Sequence, residues 1–567
     1  MEWKTEITKM TGIKYPIIMG AFAIVGRAEF AAAFSNAGGL GIITALNFSN
    51  LEMFQKEIEN MKKLTDKPFG INFTLTPPYM LERRGGKGWT EDFYKDFIDF
   101  AIDADIKVYT TSAYSAPRIG KKVKDAGCYW FHKCTTMKHA LAAEKAGADA
   151  VTIVGLEGTG FKNPTQNTTL VNITLGKKIL KIPIIAAGGI GDARGFLGAL
   201  TMGADAVCFG SAILVTTECS ASGRWKNKVL TQDIFDEKYY KKIFHLQLKD
   251  SPIASMAIGH IDKELSLKEF ISNIVSNAEQ IRQNKLKYWN TSITKMTESK
   301  YPIIMGAFAG FGMAQFAASF STAGGFGIIT ASIYNKPEKF REALKLAKKL
   351  TDKPFGVNFS IVSPEIARKN PRLITEDSYL DYIDIAIDEG VKVFTTSAYQ
   401  ANKIGQKIHN AGCYWFHKCA LMKHAISAER NGADAVTLIG IEGAGAKNPY
   451  QNTTLVNITM ARKLLKIPII AAGGIGDARG FLGALAMGAD AVCFGTAILT
   501  TKECPAPEAY KTKILNQNIF DQDYHKKIFD FNYRDITVGS MASGHIDKSI
   551  SINEFIRDII ENAEKIL

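Results

Sequence analysis

The second half of this chain repeats the first half at the scale of a whole domain. Matched segments include ITKMTGIKYPIIMGAFA at 7–23 and ITKMTESKYPIIMGAFA at 293–309, and CYWFHKC at 128–134 and 413–419. The spacing between paired positions falls from 286 to 285 residues between Asn72 and Thr110, so one residue is lost from the second copy there. A repeat of this size is far longer than a solenoid unit. We therefore predict two copies of one domain, residues 1–286 and 287–567.

Composition is that of an ordinary globular protein. Hydrophobic residues make up 46% of the chain and charged residues 22%, and 567 residues exceed what a single core usually holds. No run of 18 apolar residues occurs, so we predict no membrane span. The N-terminus MEWKTEITKMTG lacks the basic-then-apolar layout of a signal peptide. We expect a cytoplasmic protein.

The net charge of +13 allows two interpretations. One is a solvated, lysine-rich surface; the other is attraction of anionic small molecules such as phosphates, carboxylates or coenzyme A esters. No basic cluster is interleaved with aromatic residues, so nucleic-acid binding is not predicted. The eight cysteines form four pairs across the repeat without a CxxC motif. We expect reduced structural thiols and no metal site.

Short apolar runs alternate with amphipathic stretches in each copy. The predicted strands of the first copy are Pro16–Gly20, Gly39–Thr44, Phe69–Thr74, Lys107–Ala113, Tyr129–Cys134, Ala150–Glu157, Pro183–Ile190 and Ala206–Leu214. The predicted helices include 50–63, 91–103, 135–146, 168–180 and 192–202. Such strands, apolar on both faces, are typical of parallel sheets. We predict an α/β fold, a tandem pair of TIM (β/α)8 barrels.

A doubly wound open sheet is the main alternative fold. It is disfavoured because no GxGxxG follows the first strand and because glycine-rich strand ends are spread along the whole chain. The junction near 283–290 has no Gly/Pro-rich linker. We therefore expect the two barrels to pack against each other as an intramolecular pseudo-dimer, and further oligomerisation stays open.

Glycines after the seventh and eighth strands predict a phosphate site. Gly188 and Gly189 precede Asp192, a candidate helix N-cap, and Gly210 and Ser211 follow the next strand. Backbone N–H groups from these two loops can converge on a phosphate at the carboxyl-terminal face of the barrel. The alternative is that the glycines only permit tight turns.

The motifs in series resemble the nitronate monooxygenase (2-nitropropane dioxygenase) family, which includes flavin-dependent enoyl-ACP reductases. They are YPIIMGAFA, AGGLGIIT, KPFGINF, GADAVTIVGLEG, PIIAAGGIGD and GADAVCFGSA. The resemblance covers most of each half. It implies a (β/α)8 barrel that binds FMN, and hence two FMN molecules per chain.

The resemblance also implies the residues that hold FMN. In the first copy these are Met19, Gly20 and Ala21 beside the flavin ring, Asn72 near the ring or ribityl chain, and Gly188, Gly189, Gly210 and Ser211 at the phosphate. In the second copy they are Met305, Gly306, Ala307, Asn358, Gly473, Gly474, Gly495 and Thr496. Further candidate cofactor contacts follow from position at the ends of strands five and six: Lys133, Glu157 and Gly158, with Lys418, Glu442 and Gly443 in the second copy. The two glutamates could bind a ribityl hydroxyl or act as a base.

One departure from the family concerns catalysis. The family carries a Gln-Gly-x-Glu-Ala-Gly-Gly-His run after strand six, whose His is the catalytic base. Here Phe161 and Ala446 replace that His, and Val154 and Ile439 replace the Gln. Without an imidazole at this position, proton abstraction beside a nitro group loses its usual base.

A second histidine pair could substitute for the missing base. His132 and His417 end strand five of their copies, and Lys133 and Lys418 follow directly. Adjacent strand residues point to opposite faces, so only one of each pair can enter the barrel. We predict His132 and His417 as catalytic candidates, while the lysines could stabilise negative charge on a reduced flavin.

A polar loop follows strand six. In the first copy it holds Lys162, Asn163, Gln166, Asn167 and Thr168, and in the second Lys447, Asn448, Gln451, Asn452 and Thr453. It is either a substrate clamp or an ordinary loop ending in a helix N-cap.

These features predict an FMN-dependent oxidoreductase that resembles nitronate monooxygenase but lacks the usual catalytic His. The alternatives are an NAD(P)H-dependent enoyl-thioester or quinone reductase, and a non-catalytic flavoprotein subunit. The expected substrate is a small molecule, anionic or a thioester, with NAD(P)H as a candidate electron donor.

Overall fold

The computed structural model divides the chain into two compact units, Met1–Gln280 and Ile281–Leu567. The predicted boundary after residue 286 lies a few residues beyond this division. The residues that the structure describes are 3–83, 85–160, 162–244, 254–285, 289–362, 364–369, 375–397, 399–445, 448–529 and 539–567.

Eight parallel strands form the barrel of the first unit. In chain order they are β1 Ile17–Met19, β2 Gly41–Thr44, β3 Phe69–Thr74, β4 Val108–Ser112, β5 Tyr129–Cys134, β6 Ala150–Val154, β7 Ile184–Ala187 and β8 Ala206–Phe209. Each strand pairs with the next, β8 returns to pair with β1, and a parallel bridge between Ile18 and Leu40 brings β1 beside the start of β2.

The second unit has the same topology. Its strands are β9 Ile303–Met305, β10 Gly327–Thr330, β11 Phe355–Ser360, β12 Val393–Ser397, β13 Tyr414–Cys419, β14 Ala435–Ile439, β15 Ile469–Ala472 and β16 Ala491–Phe494. A parallel bridge between Ile304 and Phe326 plays the same part as in the first unit. The two units confirm the predicted pair of (β/α)8 barrels.

Helices surround each barrel. In the first unit they are α1 Glu6–Thr11, α2 Ala28–Asn36, α3 Leu51–Leu64, α4 Pro78–Arg83, α5 Lys95–Asp103, α6 Pro117–Asp125, α7 Met137–Lys145, α8 Thr169–Ile179, α9 Ala193–Met202, α10 Gly223–Leu230, α11 Glu237–Phe244 and α12 Leu267–Lys285, which crosses into the second. In the second they are α13 Ser292–Thr297, α14 Ala314–Thr322, α15 Pro337–Leu350, α16 Pro364–Lys369, α17 Leu380–Asp388, α18 Asn402–Asn410, α19 Met422–Arg430, α20 Thr454–Leu464, α21 Ala478–Met487, α22 Thr496–Leu499, α23 Glu508–Leu515, α24 Gln522–Phe529 and α25 Ile552–Ile566.

Local sequence explains how these helices start and which face they bury. The Asn50 side chain accepts a hydrogen bond of 2.9 Å from the Met53 N–H and so caps α3. The buried residues of α3 are Phe54, Ile58 and Met61, spaced by four and three positions along one face. Within the described residues, no helix combines the length and apolar character needed to cross a membrane.

A segment beyond β8 returns to the barrel. It contains the 3-10 helix Met256–His260. The Tyr239 hydroxyl donates to the Ala254 carbonyl at 2.6 Å, and the Met256 N–H donates to the Glu157 carbonyl at 3.0 Å. The segment is therefore fixed against the turn after β6, on the carboxyl-terminal face of the barrel.

Candidate functional site

Close contacts at two glycines show which strand residues face the surrounding helices. A Cβ on Gly120 of α6 would lie 2.2 Å from the Trp130 ring, and a Cβ on Gly41 would lie 2.0 Å from the Ala31 carbonyl of α2. Trp130 and Gly41 thus face the helices. Because strand side chains alternate, their neighbours face the inside of the barrel.

Following this alternation through the strand register gives the residues that line the barrel mouth, by which we mean the inside of its carboxyl-terminal end. In the first unit the mouth includes Thr74, Ser112, Lys133 and Cys208. In the second unit the corresponding residues are Ser360, Ser397, Lys418 and Cys493.

Lys133 is the member of the His132/Lys133 pair that lies at the mouth. Its side chain is partly exposed, and its positive charge acts electrostatically on the thiol of Cys208 in β8. Burial raises the pKa of the Cys208 thiol, and the Lys133 ammonium opposes that rise. Lys418 acts on Cys493 in the same way in the second unit. Each mouth therefore holds one positive charge contributed by strand five of its barrel.

His132, the predicted catalytic base, lies on the opposite face of β5. Its Nδ1 is 2.7 Å from the Thr111 hydroxyl, which also accepts a 2.8 Å hydrogen bond from Trp130 Nε1. The ring is 8% exposed, and burial, aided by the nearby His139, lowers the pKa of His132 to about 4. His132 is therefore the member of the His132/Lys133 pair that stays outside the barrel. Its geometry argues against an acid–base role.

His417 repeats this arrangement in the second unit. Its Nδ1 is 2.7 Å from the Thr396 hydroxyl, and burial lowers its pKa to about 4. Seven of the nine histidines lie elsewhere in the sequence, at positions 139, 245, 260, 409, 424, 525 and 545. Among the described histidines, none occupies an inward-facing strand position.

Asn72 faces the inside of the barrel and is fixed by its neighbours. Its Nδ2 donates to the Thr110 hydroxyl at 2.9 Å, and its Oδ1 accepts from the Thr74 hydroxyl at 2.8 Å. Asn358 makes the matching bonds with Thr395 and Ser360. The predicted flavin contact is therefore held rigidly in the barrel. The alternation of Asn72 and Thr74 with Phe73 in β3 was a signal in the sequence for this inward face.

The ends of β1 and β8 meet through glycine. The Gly20 N–H donates to the Phe209 carbonyl at 2.8 Å, and a Cβ on Gly20 would lie 3.4 Å from Gly210 Cα. Ala21 beside it is partly exposed, whereas the Met19 side chain is buried. Gly306 and Gly495 meet in the same way in the second unit, with Met305 and Ala307 flanking Gly306. The predicted contacts from these two strands are therefore brought together.

The loops after β7 and β8 present unused backbone donors. Gly188 and Gly189 have φ of +104° and +74°, values that L side chains rarely adopt. The N–H groups of Gly189, Gly210 and Ser211 donate to no acceptor in the part of the chain that the structure describes. A Cβ on Gly210 would meet no atom within 4 Å, so this loop borders open space. Such a donor set fits a phosphate group.

The second unit carries the same loops. Gly473 and Gly474 have φ of +105° and +73°. The N–H groups of Gly474, Gly495 and Thr496 likewise find no acceptor among the described residues.

The hydroxyl after β8 is anchored by the returning segment. Ser211 Oγ accepts a 2.8 Å hydrogen bond from the Ser255 N–H, and Thr496 Oγ1 accepts one of 2.9 Å from the Ser540 N–H. A hydroxyl that accepts one bond still has its own proton to donate. The predicted role of Ser211 and Thr496 at a phosphate is compatible with this geometry.

Glu157 turns away from the mouth and toward the start of α8. Its Oε2 lies 3.0 Å from the Thr169 N–H and 3.1 Å from the Thr169 hydroxyl, and the residue is fully buried. A carboxylate at a helix N-terminus is stabilised by the unpaired N–H groups there. This corrects our expectation of a ribityl contact or a base at Glu157. Glu442 is placed identically against Thr454.

The glycine after each of these glutamates packs closely against the end of the barrel. A Cβ on Gly158 would lie 3.4 Å from Gly188 Cα, and one on Gly443 would lie 2.7 Å from the Ile439 side chain. In the first unit, the predicted glycines from strands six and seven are therefore in contact.

The polar loop after β6 supports the strand end. Gln166 Nε2 donates to the Val154 carbonyl at 2.9 Å, and Gln166, Asn167 and Thr168 are each 1% exposed or less. These three residues are buried, which favours the loop interpretation over a substrate clamp. Gln451, Asn452 and Thr453 are likewise buried in the second unit.

Lys162 braces the turn that precedes this loop. Its Nζ donates to the Leu156 and Gly158 carbonyls at 2.6 Å each, and burial lowers its pKa to about 7 although Glu157 opposes the shift. Phe161, Ala446 and Lys447 lie outside the described residues, so the replacement of the family His stays a statement about sequence.

Comparison with known proteins gives consistent matches. The sequence pattern described as "Nitronate monooxygenase" matches residues 4–245 and 290–543. A protein of Staphylococcus aureus (strain MSSA476) named "Probable nitronate monooxygenase" is 31% identical over 257 residues, which are 40% of this chain and 72% of that protein.

A second relative has a different printed activity. The Rhodococcus jostii (strain RHA1) "(3aS,4S,5R,7aS)-5-hydroxy-7a-methyl-1-oxo-octahydro-1H-indene-4-carboxyl-CoA dehydrogenase" is 30% identical over 240 residues, 42% of this chain. The chain spans 63% of the length of that dehydrogenase.

Among solved structures, FabK of Thermotoga maritima is 29% identical, with a TM-score of 0.42. The match covers 49% of this chain and 96% of that one.

The nitronate monooxygenase pattern matches most of both units, and the two relatives named above are oxidoreductases. The chain belongs to the nitronate monooxygenase family of FMN-dependent oxidoreductases and carries its domain twice.

Proposed function

We propose that each unit binds one FMN and reduces the activated double bond of an enoyl thioester, with NADH or NADPH as the electron donor. The observation that carries the proposal is the charge at the end of strand five. Lys133 and Lys418 face the mouths, whereas His132 and His417 face the helices. This arrangement suits a reaction that builds negative charge better than one that needs an imidazole base.

The residues present fit the cofactor. Gly189, Gly210 and Ser211 would hold its phosphate through their N–H groups, and Gly20 and Asn72 would border its ring system. FMN, when bound, supplies the capacity to accept a hydride from a nicotinamide and to pass it to a second substrate.

Lys133 has a role in this reaction that follows from its charge. Reduction adds a hydride to the β-carbon of an enoyl thioester and a proton to its α-carbon, and negative charge builds toward the thioester oxygen between these events. An ammonium group in a partly dehydrated mouth stabilises such charge more strongly than one in bulk water. Lys133 would hold and orient the thioester in the first unit, and Lys418 would do so in the second.

Two observations favour a thioester as the substrate class. The chain carries a net charge of +13, which attracts the phosphates of a coenzyme A ester. The Rhodococcus jostii relative is named as a carboxyl-CoA dehydrogenase, an activity on a coenzyme A thioester. Both support an anionic, thioester-linked substrate.

Anaerobic stopped-flow spectroscopy of the full chain tests the proposal. NADH or NADPH should bleach the flavin absorbance, and crotonyl-CoA should restore it. A variant with both Lys133→Met and Lys418→Met should slow the restoration about tenfold or more, because it removes one charge from each mouth. Lys138→Met with Lys423→Met, on the outer helices α7 and α19, is the matched control and should leave both phases unchanged.

Nitronate oxidation is the second candidate function. It is favoured by the family match over both units and by the Staphylococcus aureus relative. Flavin that is bleached by propane-2-nitronate and not by NADH or NADPH would establish this reaction in place of the reductase.

A further inference from the structure

We propose that Ile24 is a specificity residue at the mouth of the first unit, where it contacts the apolar chain of a long acyl thioester. This inference deepens the proposed function and rests on it for the substrate class. It starts from an unusual residue. Ile24 is 78% exposed and has a φ of +73°, a backbone conformation that is rare for a β-branched side chain.

Asn47 holds Ile24 in this conformation. Its Oδ1 accepts a 2.6 Å hydrogen bond from the Ile24 N–H, and its Nδ2 donates to the Phe22 and Gly26 carbonyls at 3.1 Å each. Arg27 Nε adds a 3.2 Å hydrogen bond to the Ile24 carbonyl. A strained residue persists only where its surroundings fix it, and such residues cluster at functional sites.

The position of Ile24 places it beside the candidate flavin site. It follows β1 by a few residues, just after Gly20 and Ala21. The Phe22 N–H donates to the Thr44 hydroxyl at the end of β2 at 3.1 Å, so the loop lies across the carboxyl ends of these two strands. An exposed isoleucine here lies at the edge of the mouth.

Two further exposed apolar side chains follow β3 and β4, which pair with each other. Tyr79 comes after β3 and is 54% exposed, and Tyr114 comes after β4 and is 48% exposed. We call Ile24, Tyr79 and Tyr114 the apolar rim. Exposed apolar groups beside a ligand site are stabilised when they contact an apolar part of the ligand. The rim therefore fits a substrate whose reactive end enters the mouth while its hydrocarbon chain extends outward.

The second unit has a different rim at the same positions. Gly310 replaces Ile24, Glu365 replaces Tyr79, and Ile333 replaces Asn47, so neither the isoleucine nor its brace is present there. Tyr399 alone corresponds to Tyr114 and is 43% exposed. The selectivity for a long apolar chain is thus assigned to the first unit.

Equilibrium dialysis of the full chain with dodecanoyl-CoA and with butanoyl-CoA tests the inference. These saturated esters measure binding without turnover. The unaltered chain should bind dodecanoyl-CoA more tightly. Ile24→Ala should weaken that binding about fivefold and leave butanoyl-CoA within twofold, because only the hydrocarbon contact is lost. Tyr79→Glu, which introduces the residue of the second unit, should act in the same direction.

Met53→Ala is the matched control, since Met53 is 44% exposed on the outer helix α3. It should bind both esters like the unaltered chain, and the FMN content of all variants should be equal. The inference is overturned if the unaltered chain shows no preference for the longer ester or if Ile24→Ala binds both esters normally. Failure of the proposed function is a separate result, seen as the absence of crotonyl-CoA turnover while the chain-length preference persists.

Discussion

The two barrels agree on one side of the mouth and differ on the other. After strand seven, Gly188 and Gly473 have φ of +104° and +105°, and the donors beside them match group for group. After strand one, the first unit has Ile24, which Asn47 holds at a positive φ, whereas the second unit has Gly310 at the same position. The loops proposed to hold the phosphate are the same in both copies, whereas the rim differs. Under the proposed function, the chain would hold two equal cofactor sites whose access for substrate is unequal.

The loops after strands seven and eight of each unit, which are proposed to hold the FMN phosphate, are called its phosphate cradle. Disruption of one cradle should have the largest effect and would test whether the two cradles are equivalent. A carboxylate from Gly210→Asp would enter the space that a phosphate needs, because a Cβ there meets no atom within 4 Å. Repulsion between the two anions should abolish FMN binding in the first unit and halve the FMN released per chain on denaturation.

Gly495→Asp should halve the FMN content by the same mechanism, and the double variant should be colourless. Gly223→Asp, at the start of α10 where a Cβ also meets no atom, is the control and should retain full FMN. Unequal losses from the two single variants would break the equivalence of the cradles.

The second prediction is that the free energy of unfolding falls more steeply in acid for the second unit than for the first. His132 and His417 are matched, but the second unit also buries His525, at the position of Tyr240 in the first, and burial lowers the pKa of His525 to about 4. Between pH 6.5 and pH 4, the unfolded state binds protons that the folded state excludes, so the free energy of unfolding falls as the pH falls. At pH 5, His525 should cost the second unit ~2 kcal/mol.

Hydrogen–deuterium exchange of peptides from each unit, at pH 7 and pH 5 with rates corrected for intrinsic pH dependence, measures this difference. His525→Tyr supplies the residue of the first unit and should remove the excess acid sensitivity. Equal sensitivity of both units in the unaltered chain would show that His525 does not titrate as its burial implies.

Loss of the Asn47 side chain that holds Ile24 should have an effect of similar size, confined to the first unit. Asn47→Ile copies the second unit and removes three side-chain hydrogen bonds. It should lower the free energy of unfolding by ~2 kcal/mol in urea titrations. Adding Ile24→Gly should recover ~1 kcal/mol of this loss, because glycine adopts a positive φ without strain. Strict additivity of the two changes would mean that Asn47 does not hold Ile24 in its conformation.

Much of the fold follows from sequence pattern. The predicted strands Phe69–Thr74 and Tyr129–Cys134 match the structure at both ends, and the predicted helix 192–202 differs from α9 by one residue. Other strands end earlier than predicted, since β7 stops at Ala187 where the positive-φ glycines begin. The helices α2 and α6 were not among the stretches named from the sequence. The first is buried almost throughout, whereas α6 buries only Ile119, Gly120 and Val123 along one face.

The sequence alone determined the duplication, the barrel fold and the positions of the glycines after strands seven and eight, because repeats, strand periodicity and glycine spacing are local properties of the chain. Only the tertiary structure decided that Lys133 enters the mouth while His132 faces the helices, and that the Glu157 carboxylate accepts hydrogen bonds from the start of α8. A strand buried on both faces gives no polar alternation to mark its inner side. The face of each residue is fixed by the register with neighbouring strands. Contacts between residues distant in sequence therefore decide which side chains of strand five face the inside of the barrel.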